Sequence, residues 1–157
     1  MLMSSEQREK DIQGWQVLPD FVSVNFSEPG TPELCQLLLE RGIGIEVGLA
    51  TVEDTRLLLT MGIANRCLRI LIEPVEEETE AALTTVEAIE KVLNEANVQI
   101  PRLLHGFDAT AWPLLDVALQ RGYDTRIGLE DTLNLPDSRK TSGNAELVAV
   151  ASEWWVK

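Results

Sequence analysis

The chain has 157 residues, enough for one domain around a sizeable core, and its 45% hydrophobic and 25% charged content is that of a globular protein. Its 13 basic and 26 acidic residues leave a net charge of −13, which argues against a nucleic-acid surface or an anionic membrane as partner, because both call for basic patches. No stretch reaches the roughly 18 apolar residues of a membrane span, and the opening MLMSSEQREKDIQGW lacks the apolar core of a signal peptide, so a cytoplasmic protein is expected.

In chain order, SSEQREKDIQGWQV reads as a helix leading into a first strand-like run, PDFVSVNF. The amphipathic segment TPELCQLLLERG follows, then GIGIEVGL, TVEDTRLLLTMG and RCLRILIE. The acid-rich EEETEAALTTVEAIEKVLNEANV reads as a long helix whose glutamates form its first turn and solvated face. PRLLHGFD, TAWPLLDVALQRG, DTRIGLED and a closing NAELVAVASEWWV complete the series. Thr31-Pro32 has the look of an N-cap with proline in the first turn. Thr51 and Asp54 have capping-box spacing, with Asp in place of Glu or Gln. Gly42, Gly62 and Gly122 stand just past helical patterns, where a left-handed residue ends a helix. Cys35 and Cys67 fall in apolar patterns and read as reduced core residues.

Five strands alternating with helices through short loops predict parallel strands and right-handed crossovers. An open doubly wound sheet and part of a (β/α)8 barrel both have this rhythm. There is no G-x-G-x-x-G turn and no P-loop. A whole barrel needs about 250 residues, so five units over residues 1–157 suit a single domain that is part of a TIM barrel.

In such folds chemistry collects at the C-terminal ends of the strands. Those positions carry Ser23 and Asn25, Glu46, Glu73, His105, and the adjacent acids Glu130 and Asp131. Residues 126, 128 and 130 of a strand share one face, which would let Arg126 and Glu130 point into the barrel together. Glu46 and Glu73 also have a structural reading, as ion-pair partners of interior arginines such as Arg69. His105 could be a hydrogen-bonded structural residue, and Ser23 and Asn25 could satisfy loop backbone. The Arg126, Glu130, Asp131 cluster is harder to read that way, since a structural salt bridge needs one acid rather than two. Every lysine lies outside the strands, which disfavours a Schiff base, and no G-x-S-x-G elbow offers a serine nucleophile. With one histidine and no accessible thiol pattern, a zinc site built from this chain alone would be mostly carboxylate.

At PDFVSVNFSEPG, GIGIEVGLATVEDTRLLL, RCLRILIEP, LLHGFDATAWPLLDVALQRGYDTRIGLEDTLNLPD and NAELV the chain resembles the β-keto acid cleavage enzymes. The resemblance implies a zinc-containing (β/α)8 barrel that converts a β-keto acid and acetyl-CoA into acetoacetate and a new acyl-CoA. It makes Glu130 a zinc ligand, and zinc a Lewis acid on the keto oxygen. It makes Asp131 the general base, oriented and kept ionised by Arg126. Ser23, Asn25, Glu46 and His105 become substrate-pocket residues. The family's H-x-H zinc pair and its first-strand glutamate have no counterpart here, so the expected extent is strands 4–8, without the first three. Glycine is usual where Ser138 follows LPD.

Two expectations follow. One is the C-terminal part of a cleavage enzyme, with little activity by itself. The other is a non-catalytic half-barrel that assembles as a homo-oligomer or beside a partner chain, because its sheet edges are open.

Overall fold

The computed structural model describes residues 4–155. Four strands, β1 (Phe21–Asn25), β2 (Gly44–Leu49), β3 (Arg69–Ile72) and β4 (Arg102–Leu104), form one sheet in the order β1-β2-β3-β4. All three pairings are parallel. Six helices accompany them: α1 (Ser5–Gln13), α2 (Thr31–Glu40), α3 (Val52–Met61), α4 (Thr79–Glu95), α5 (Ala111–Arg121) and α6 (Asn144–Trp155). The alternation is consistent with part of a barrel, and no described helix is long and apolar enough to cross a membrane.

The helix boundaries follow local chemistry. Thr51 accepts from Asp54 N–H, and the Asp54 carboxylate accepts in return from Thr51 N–H, so the capping box is complete. Gly62 and Gly122 end α3 and α5 in the left-handed region. At α2 the cap lies one residue earlier than the sequence suggests. Gly30 takes it at φ 77°, and Thr31 opens the helix while its hydroxyl donates to Glu28 O.

The sheet has two unlike faces, because alternate residues point in opposite directions. Ile45, Val47, Leu49, Ile70, Ile72 and Leu104 point towards the helices and are fully buried with Leu38, Leu58, Ile89, Leu93 and Leu114. Each such side chain contributes about 1.5–3 kcal/mol of burial free energy. The opposite face, which in a barrel would line the interior, carries the polar residues. A smaller apolar cluster, Trp112, Leu115, Leu135 and Leu147, fastens α6 to α5.

The fifth unit departs from expectation. DTRIGLED is not a strand, and its pairing with β4 is a single parallel bridge, Leu103 with Asp124. Asp124 N–H donates to Arg102 O and Asp124 O accepts from Leu104 N–H. The ladder then stops, and the next contact to β4 is the Thr125 hydroxyl, which donates to Leu104 O. From Leu129 the chain turns, and Leu129 N–H donates to Asn144 Oδ1 at the start of α6.

Candidate active site

The parallel register sets the polar face in rows. Ser23, Glu46 and Arg69 are partners across β1, β2 and β3. Ser23 Oγ donates to Glu46 Oε1, and Arg69 Nε donates to Glu46 Oε2. Glu46 is 3% exposed, and a carboxylate so placed needs this pairing to offset its desolvation. Arg69 also lies 3.7 Å from Asp124. The structural reading of Glu46 is thus realised, and Ser23 shares its network.

Next along the strands come Asn25, Gly48, Leu71 and Leu103. Gly48 leaves room for two neighbours: a Cβ there would stand 2.5 Å from Glu73 Oε1 and 2.6 Å from Asn25 Oδ1. Glu73 and His105 follow directly after β3 and β4. The His105 ring is 1% exposed, with Nε2 3.5 Å from Glu73 Oε2 and Nδ1 3.3 Å from Asp131 Oδ1. Phe107 packs its ring edge-on at 4.9 Å. Gly106 seats this segment tightly, since a Cβ there would stand 2.6 Å from Thr110 Oγ1 and 2.7 Å from Leu114 Cδ1.

Asp131 closes the cluster. Its side chain is 2% exposed, and Oδ1 lies 3.6 Å from Arg126 Nη2. The backbone is pinned on both sides: Asp131 N–H donates to Gly128 O at 2.9 Å, and Asp131 O accepts from Asp108 N–H. Glu130, one residue earlier, points elsewhere. It is 71% exposed and pairs with Arg126 at 3.4 Å. Arg126, Gly128, Glu130, Asp131 and Asn144 line a cleft of about 420 Å³. A separate cavity of about 640 Å³, lined by Trp112, Trp154, Asp108 and Asp116, includes none of these residues except by neighbourhood in the chain.

The protonation of His105 reflects two opposed effects. Burial disfavours the imidazolium, but the Asp131 and Glu73 carboxylates outweigh it, and the ring's pKa is raised above its ordinary value.

Residues 18–155 match the sequence model of the β-keto acid cleavage enzyme family. The chain belongs to this family. A comparison with curated proteins found no match. In this β-keto acid cleavage enzyme relative, Asp131, Arg126, His105 and Asn25 gather at one end of the sheet, Ser23 and Glu46 lie one row below, and Glu130 sits on the rim. Glu73, a strand-end acid in the sequence that was also open to an ion pair with Arg69, joins this group: Arg69 turns to Glu46, and Glu73 faces His105.

The donors of this family member do not make a zinc site by themselves. Zinc takes about four nitrogen, sulfur or oxygen ligands, and among the described residues no group of three or more His, Cys, Asp or Glu is placed to hold a metal. Cys35 and Cys67 lie in the helix-side core. Burial pushes their thiols up to about 12 and about 11, so neither offers a thiolate. Within the cluster, Glu130 is the donor exposed to solvent, whereas Asp131 and His105 are buried.

Proposed function

We propose that this protein acts in β-keto acid cleavage, with Asp131 as general base and Arg126 as its positive partner. The observation that carries this reading is the placement of Asp131. It is a buried carboxylate at the end of a parallel sheet, with Oδ1 3.3 Å from His105 and 3.6 Å from Arg126 and its backbone held from two directions. A general base must be held in a fixed position to meet its proton, and the backbone anchoring supports that role for Asp131. Asn25 stands at the same end of the sheet, across Gly48 from Glu73.

The reaction proposed is R–CO–CH2–COO⁻ plus acetyl-CoA giving acetoacetate plus R–CO–SCoA. The partners are therefore a small β-keto acid and a CoA thioester. Zinc would take a single ligand, Glu130, from this chain, and its remaining ligands would come from elsewhere. The chain assayed alone with zinc, acetyl-CoA and a panel of β-keto acids should give background turnover only. Adding a second polypeptide that carries the family's H-x-H pair on its early strands should raise the rate. Acetyl-CoA-dependent cleavage by the pure chain would overturn this assignment of an incomplete site.

A further inference from the structure

His105 is the only histidine in the chain, and proton transfer by Asp131 leaves it without a task. Its two ring nitrogens face two carboxylates, yet neither nitrogen has a hydrogen-bond partner of good geometry, nor has Asp131 Oδ1. Buried polar atoms left this way are costly. A small rotation of the ring would turn both contacts into charge-assisted hydrogen bonds. Only a ring with a proton on each nitrogen can donate to both sides at once. Glu73 reaches the ring because Gly48 presents no side chain under its carboxylate. On the far side, Asp131 Oδ2 faces Gly128, where a Cβ would stand 3.9 Å away, and Gly128 lines the cleft.

We propose that Glu73 is a positioning residue for Asp131 and acts through His105: Glu73 holds the doubly protonated ring, and the ring clamps Asp131 Oδ1 so that Oδ2 is left for the substrate proton. This rests on Asp131 being the base. The charged groups around the ring agree with the arrangement. Burial works against the imidazolium, Asp131 and Glu73 favour it strongly enough to raise the ring's pKa, and only Arg126 opposes them. Glu73 differs from Glu46, whose carboxylate is consumed by Arg69 and Ser23.

A single histidine makes the test unambiguous. The ring of the ¹⁵N-labelled full chain gives one set of imidazole signals in a long-range ¹H–¹⁵N spectrum. Both nitrogens should be protonated at neutral pH. Glu73→Gln should move the ring's titration midpoint down. Gly48→Ala should move it in the same direction without changing any charge, by displacing the Glu73 carboxylate. If Glu73→Gln fails to fold, the wild-type protonation state and Gly48→Ala decide the matter. A neutral tautomer in the wild type at neutral pH, or an unmoved midpoint in folded variants, would overturn the proposal.

In the complemented cleavage assay, Glu73→Gln should lower kcat with little change in KM and shift the pH–rate profile to lower pH, where the ring regains its second proton. The two failures are separable. An uncoupled ring sinks the role of Glu73 and leaves Asp131 as base. A coupled ring together with an undiminished rate for Asp131→Asn sinks the cleavage reading instead.

Discussion

At the scale of single residues, the cluster legible in the sequence was Arg126, Glu130 and Asp131, because two acids ending an apolar run need a reason. The shared strand face predicted that Glu130 points inward with Arg126, and the structure reverses this because residues 126–130 form no strand. Asp131 turns inward against His105 and Arg126, while Glu130 stays in solvent. That division follows from the turn at residues 128–131, closed locally by Asp131 N–H donating to Gly128 O and tied to the rest of the fold by Asp108 N–H donating to Asp131 O. Ser138 is a second case. It stands where the family usually has glycine, and its φ of 66° lies in the left-handed region. An L-residue there costs about 1–2 kcal/mol, so Ser138→Gly should raise stability by about 1 kcal/mol in urea unfolding. The pH dependence of stability is set partly by His105. Its folded pKa is raised above 6.5, so above that pH the folded state holds a proton that the unfolded state has released. The contribution is complete below 6.5 and is lost as pH rises through the folded midpoint. Urea midpoints should therefore fall across that window, and Asp131→Asn should flatten the slope.

At the scale of elements, helices were read more reliably than the last strand. Caps and left-handed glycines are local signals, which is why α3 begins at the Thr51 box and ends at Gly62 as the spacing predicts. Thr51→Ala removes the acceptor for Asp54 N–H and should cost about 1 kcal/mol, read as a lower urea midpoint. The fifth strand failed for the opposite reason. Its apolar run has strand composition, but only Asp124 pairs with β4, and the next contact is the Thr125 hydroxyl donating to Leu104 O. Composition could not reveal that side-chain contact. Glycine at 106 was visible only as part of an HG pair. Its purpose, letting the end of β4 approach Thr110 and Leu114, depends on packing.

At the scale of the whole molecule, the sheet closes on neither side among the described residues. β1 pairs only with β2, and beyond β4 there is one bridge. Phe21, Leu129 and Leu133 are exposed, and a cavity of about 570 Å³ lined by Trp15, Val22, Val24 and Leu34 runs beside β1. Open parallel edges invite further strands, which supports a second proposal, that the chain assembles with another copy of itself. Sedimentation over a dilution series should show an assembly larger than 17.5 kDa. A species that remains a stable monomer at every concentration would rule that out. The proposed cleavage activity depends on Asp131. The most direct measurement is the acetyl-CoA-dependent cleavage rate in the presence of the H-x-H polypeptide and zinc, wild type against Asp131→Asn. A general base predicts a loss of about 10²–10⁴-fold in kcat, whereas an unchanged rate would contradict the assignment.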